Sequence, residues 1–309
     1  MNPDTLINIL VATIAAGTPL VYAALGELIV EKSGVLNLGV EGMMLVGAIS
    51  GFIAMAKTGS LILAVSCGML AGALMALIFA VLTLSLMANQ VASGLALTIF
   101  GTGLSAFMGI EYTSVALKGV PELNIPILSN IPILGRLIFS YDILIYLSLI
   151  LLGGVIWFLY KTRAGLILKA IGESPKSGHA LGFSVIGIRY LAVLFGGAMA
   201  GLGGVYLATA YTPMWVEGMV AGRGWVALAL VVFATWRPAR VMIGAYLFGG
   251  VTILQFHIQG FGFEIPSQIL AMLPYLATIV VLVFISRDKN LIRLNSPASL
   301  GITFHPENN

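Results

Sequence analysis

Apolar runs of about twenty residues, each ended by a short polar break, follow one another along nearly the whole chain. About twenty residues is the length a helix needs to cross a bilayer, so each long run reads as a membrane span. Nine are predicted, over residues 6–26, 35–56, 60–86, 91–110, 141–160, 190–210, 224–236, 241–257 and 268–286. Segments of alternating polarity about ten residues long, the mark of a membrane β-barrel, are absent. The expected fold class is all-α: a polytopic transmembrane helical bundle.

Two of the spans are irregular. The second opens SGVLNLGVEGMMLVGA (Ser33 to Ala48), where Gly34, Gly39, Gly42 and Gly47 loosen the helix around Asn37 and Glu41. The seventh is short, and the stretch before it, YTPMWVEGMVAGRGW (Tyr211 to Trp225), is too apolar for a free loop and too broken for a span. A re-entrant or surface-lying piece fits, because irregular backbone survives at membrane depth only under protein or beside water. Broken helices of this kind line binding sites in transporters. Elsewhere Gly68-x-x-x-Gly72, Gly197-x-x-x-Gly201 and Ala200-x-x-x-Gly204 put small residues on one helical face, so that neighbouring backbones approach closely. Pro274 is expected to kink the last span. Glu111 to Tyr141, with Pro121, Pro126 and Pro132, reads as a cap outside the membrane built of short extended or helical pieces.

The longest polar break with a basic bias is KTRAGLILKAIGESPKSGHALGFSVIGIR (Lys161 to Arg189), which carries five of the fifteen Lys and Arg residues. Ala164 to Ile171 has helical spacing, and Gly172-Glu173-Ser174-Pro175 ends that helix and starts another. Ser174 suits the cap and Pro175 the first position, where its missing N–H costs nothing. The second helix should stop at Gly182. Two roles fit this helix–turn–helix: a docking surface for another protein, or a solvated loop that sets topology. With the N-terminus outside, the inside segments 27–34, 87–90, 161–189, 237–240 and 287–309 collect eleven basic residues against four outside. That asymmetry predicts N-out, C-in. The division is a transmembrane domain over 1–288, with the loop at 161–189, and a cytoplasmic tail over 289–309.

Composition agrees with the pattern. The chain of 309 residues is 59% hydrophobic and 9% charged, where soluble domains carry about 25% charged residues. The net charge of +3 points to no nucleic-acid partner, and the single cysteine, Cys67, excludes an internal disulfide. The N-terminus lacks the basic region of a cleavable signal, so its first apolar run is expected to stay as a span.

Ionisable groups inside spans are few, and Glu41 is the sharpest. It sits one helical turn after Asn37, so the two should point the same way. A charge in hydrocarbon costs about 2.5–3.5 kcal/mol on insertion scales. Glu41 therefore lines a pathway, braces the broken helix, or is neutral or bonded to free amides around Gly39. Arg223, with Trp215 or Trp225 as a stacking face, suits a polar ligand or an interfacial belt. Asn89, Gln90 and Ser93 open the fourth span and Gln255, His257 and Gln259 close the eighth. They fit ligand hydrogen bonds or helix-to-helix glue. His179, His257 and His305 lie in a loop, an outer end and a tail, which suggests no metal site. Gly-Lys, GxSxG and HExxH are absent from the sequence, so neither a P-loop nor a hydrolase motif is present.

Five stretches carry a resemblance: Gly26 to Ala48, Asn89 to Phe107, Leu168 to Gly182, Gly218 to Pro238 and Met272 to Leu282. They resemble the permease subunits of bacterial ABC importers for nucleosides and simple sugars, within the wider ribose and branched-chain amino-acid permease group. After Phe233 the chain reads ATWRP, departing at Ala234-Thr235 and Pro238-Ala239 from an FGRWNP-like pattern. The resemblance implies a cytoplasmic-membrane importer with two permease subunits, two ATPase subunits beneath, and an external binding protein or lipoprotein. ATP and magnesium would sit on the ATPase, with no cofactor in this chain. It gives the 164–182 turn the coupling role, through Leu168, Gly172, Glu173, Pro175, His179 and Gly182. Replacing Glu173, or adding bulk at Gly172, is expected to uncouple transport from hydrolysis while leaving the permease folded. Nucleosides lead as substrate and ribose-like sugars follow. An ion-driven secondary transporter working through Glu41 and a membrane scaffold without a pathway are the competing classes.

Overall fold

A computed structural model describes residues 3–124, 134–260, 266, 269–270, 272–286 and 295–305. Its helices are α1 (Pro3–Lys32), α2 (Val40–Thr58), α3 (Leu61–Ala80), α4 (Gln90–Gly109), α5 (Leu134–Ile138), α6 (Ile143–Lys161), α7 (Arg163–Glu173), α8 (Pro175–Ala180), α9 (Val185–Tyr206), α10 (Arg223–Phe233), α11 (Pro238–Gly260) and α12 (Leu273–Ser286). α3 and α9 each continue into a π-helical turn, Val81–Ser85 and Leu207–Tyr211. Seven of the described helices are long and apolar enough to cross a bilayer. α10, with 11 residues, and α12, with 14, fall short of that length. Each of the nine predicted spans holds one of these nine helices.

The centre is a seam of α2, α3 and α9, and glycine makes it. A Cβ on Gly201 would stand 2.2 Å from the Gly68 carbonyl oxygen, and one on Gly72 2.2 Å from that of Gly197. Gly204 faces the Met44 carbonyl at 2.1 Å in the same sense. All three small-residue motifs thus serve as backbone-to-backbone contacts, the arrangement their spacing predicts. α1 packs on the other side of α9 and against α11, where Gly249 meets Gly17.

The described parts of the five segments grouped on one side by charge come together at one end of the bundle. Arg189 reaches the carbonyl of Ser33, the Leu36 N–H donates to Gln90, Trp236 donates to Glu31, and Lys32 donates to the Asn295 carbonyl. At the opposite end β1 (Glu122–Asn124) pairs antiparallel with β2 (Ser140–Asp142), Ala116 bridges to Met214, and Asp4 meets Arg136 at 3.5 Å. The expected cap is therefore built of short pieces, with residues 125–133 outside the described set.

Three expectations change. The first helix does not stop near residue 26 but runs to Lys32, so Glu27 and Glu31 lie inside it. Pro274 kinks nothing: it falls in the first turn of α12, where its missing N–H is harmless. The Tyr211–Gly222 stretch is neither re-entrant nor surface-lying. It leaves the β-bridged end at Met214 and meets α2 at Gly222, and α10 runs on to Phe233, with Trp236 in the following turn at the other end. It is the irregular first half of a broken crossing.

Candidate functional site

Two breaks in the helical pattern meet at Glu41. The chain leaves α1 through Ser33 and Gly34, the latter at φ +89°, and turns back toward the bundle interior. The segment 35–39 is not helical, which corrects the expected start of the second span. Asn37 therefore does not share a helix face with Glu41. Its side-chain Oδ1 accepts the Gly39 N–H at 2.9 Å, and its backbone N–H donates to Glu27 Oε1 at 3.2 Å. Asn37 serves the turn that delivers α2.

Glu41, 7% exposed, stands in the first turn of α2. Its Oε1 accepts the Gly222 N–H and its Oε2 the Gly224 N–H, both at 2.7 Å. Those amides open α10, and a helix start leaves such donors without intrahelical partners. A carboxylate there answers the hydrogen-bonding need and the positive end of the helix dipole together. Of the readings open for Glu41, the structure places it as the brace of the broken helix, on the amides of Gly222 and Gly224 rather than of Gly39. A Cβ on Gly224 would fall 2.5 Å from the Glu41 nitrogen, so the junction needs glycine there.

The remaining pathway candidates divide. Arg223 folds back on its own loop, donating to the Met219 and Val220 carbonyls at 3.1 Å. Trp225 is half-exposed on the first turn of α10. Gln90 is buried, accepting from Leu36 at 2.8 Å, while its Nε2 has no hydrogen-bond partner. Ser93, one turn on, is buried beside Gly94, which packs on Leu38. These line the α2–α4–α10 region with Asn37 and Glu41. Trp215 and Gln255 do not. Trp215 is buried at the other end with Phe52, Ile49 and Ala208, its indole over Gly109. Gln255 is buried on α11 beyond the Gly249–Gly17 contact.

The loop end follows the predicted turn chemistry. Ser174 caps α8 by accepting the Ser177 N–H, Pro175 takes the first position, and Gly182 follows at φ +83°. Leu168 is buried, Glu173 and His179 are exposed, and the His179 ring meets Phe304 edge-on. Gly172 departs from expectation: it is buried, and a Cβ would stand 2.2 Å from the Lys32 carbonyl. Added bulk at Gly172 therefore disturbs the fold itself and cannot isolate coupling.

Sequence reasoning missed the carboxylates Glu27 and Glu31, both buried in α1. Glu31 accepts the Trp236 indole N–H at 2.5 Å, and Glu27 Oε2 has no hydrogen-bond partner. Their spacing of four residues, ahead of Ser33-Gly34, was the available signal for a longer helix. Among the described residues no His, Cys, Asp and Glu group suits a metal ion.

A multi-crossing helical bundle with a braced broken helix and a protruding helix–turn–helix is the build of a membrane permease. Residues 9–285 match the family model for the permease component of the branched-chain amino acid transport system, and the chain belongs to that family. It is an ABC transporter permease, a transport subunit rather than a catalytic one. It is 41% identical over 97% of its length, and 98% of the relative's, to a protein of Haloferax volcanii named as a glucose ABC transporter permease. It is 33% identical to the nucleoside ABC transporter permease NupC of Lactococcus lactis, over 91% of this chain and 93% of that one. It is likewise 33% identical to the guanosine ABC transporter permease NupQ of Bacillus subtilis, over 89% and 91%. The fold resembles a metal-chelate type ABC transporter solved in an inward-facing conformation, with TM-score 0.51, 16% identity, and 89% and 84% of the two chains covered.

Proposed function

We propose that this permease imports nucleosides across the cytoplasmic membrane, within a complex of two permease subunits, two ATPase subunits and an external binding protein or lipoprotein. The observation that carries the reading is the likeness to the nucleoside and guanosine permeases over 91% and 89% of this chain, joined to the helix–turn–helix of α7 and α8 at one end of the bundle. ATP closure of the ATPase pair pushes on α8, and α7 passes the push through Gly172 to the end of α1. The turn at 33–39 and the Glu41 brace then shift, and the pathway beside α2, α4 and α10 changes its opening. Glu41, whose two oxygens are engaged by amides, suits a brace better than an ion carrier. This end of the bundle faces the cytoplasm, in line with its share of basic residues.

A second reading, import of a simple sugar, is favoured by the 41% identity to the relative named for glucose. Uptake by proteoliposomes holding the whole complex decides between them. Labelled guanosine should accumulate with ATP inside and resist competition by excess glucose. ATP-dependent uptake of labelled glucose, with no guanosine uptake, assigns the sugar instead. Uptake driven by an ion gradient without ATPase would overturn both.

A further inference from the structure

The C-terminal residues Asn295–His305 are clamped to the loop end of the bundle. The Ser299 N–H and hydroxyl both donate to the Gly172 carbonyl, at 2.9 and 2.7 Å, and the Gly301 N–H donates to Gly34 at 3.1 Å. Arg189 locks the arrangement. It is 1% exposed, and its guanidinium donates to the Ser33 carbonyl at 3.0 Å, Ser299 Oγ at 3.1 Å and the Ile302 carbonyl at 3.3 Å. Guanidinium stays charged in proteins, and a buried charge held by neutral acceptors is costly to keep. The position of the segment is thus strongly specified.

The clamp sets Phe304 into a buried cluster with Ile171 of α7 and Val185 of α9. Beside it a cavity of about 270 Å³ opens, walled by His179, Phe183, Val185 and Ile186 from the loop side and by Phe304 from the tail. That volume admits a large apolar side chain. Two apolar residues stand out to solvent nearby in sequence, Leu181 after α8, 76% exposed, and Ile302 on the tail, 58% exposed. Lys161, Arg163, Lys176, Arg237 and His305 are exposed at the same end, against Glu173 as the exposed acid of α7 and α8.

We propose that α8 and the tail residues Ile302–His305 form one two-walled socket for the ATPase subunit, taking an apolar side chain into the cavity while the basic residues exposed at this end of the bundle meet acidic ones. The inference rests on the ABC reading of α8 given above and adds the tail as its second wall. An anionic lipid surface would also answer the basic residues, but it has no use for an aromatic-walled cavity fixed by a buried arginine.

Thiol protection tests it in the complete transporter, with exposed Cys67 replaced by Ala. Leu181→Cys and Ile302→Cys are labelled by a maleimide with and without bound ATPase. Both should slow by about tenfold or more on ATPase binding, because an interface core excludes water. If Leu181→Cys alone is protected, the second wall is wrong while the coupling role of α8 stands. If neither is protected, the coupling role fails as well. If Ile302→Cys is shielded in anionic-lipid vesicles without ATPase, the surface belongs to lipid and the proposal is overturned.

Discussion

The helices of this permease are joined in two unlike ways. Along α2, α3 and α9 backbone meets backbone, with glycines where any side chain would collide. Around the broken segments a few hydrogen bonds do the joining: Glu41 to α10, Asn37 to Glu27 and to its own turn, Arg189 to the tail, and Ser299 of the tail to Gly172. Close-packed contacts have no intermediate positions, since packed interiors are bistable rather than elastic. Hydrogen-bonded junctions can exchange partners one at a time. The seam is therefore the frame, and the polar junctions are where an ATP-driven movement has room to act.

Breaking the frame should do the most damage. Gly201→Val sets a Cβ against the Gly68 carbonyl, where overpacking costs about 3 kcal/mol or more. Expected is loss of monodisperse permease in size exclusion and a large fall in unfolding temperature; ordinary behaviour would mean that the seam yields. Next comes the brace. Glu41→Ala leaves two amides of α10 without acceptors, at about 1–3 kcal/mol each, and Glu41→Gln, keeping an acceptor, should lose roughly half as much. Hydrogen exchange at Gly222 and Gly224 reads this directly, and unchanged protection in the alanine variant would remove the brace.

A smaller effect is expected at the tail. Ser299→Ala removes the hydroxyl that bonds Gly172 and receives Arg189, worth about 1 kcal/mol. Proteolysis near the C-terminus should quicken while the bundle melts as before; simultaneous loss of bundle stability would make the tail part of the frame. Smallest in stability is Glu173→Ala. The side chain is exposed, so folding should change by less than about 0.5 kcal/mol. ATP hydrolysis should nevertheless run without matching uptake. Normal coupling in that variant would take the drive away from α8.

The loop end shows how far local chemistry can be read. Ser174, Pro175 and Gly182 fall where capping and turn preferences put them, because a cap needs only residues three positions apart. The end of α1 was misread for the opposite reason. Glu27 and Glu31 look like loop residues until their partners are known, and those partners are the Asn37 amide and the Trp236 indole. Gly172 was legible as a helix breaker, but the Lys32 carbonyl that forbids a side chain there was not.

By itself the sequence determined the solvent, the helical class, the placement of nine apolar segments, the glycine motifs and the helix–turn–helix. All of these follow from run length, spacing and neighbouring residues. Only the tertiary structure decided what Glu41 does, since the amides it holds lie 181 and 183 residues away. The same is true of the tail, whose anchor Arg189 meets Ser299 across 110 residues. A buried polar group must find a partner wherever the fold brings one, and a single sequence records the need without naming the partner.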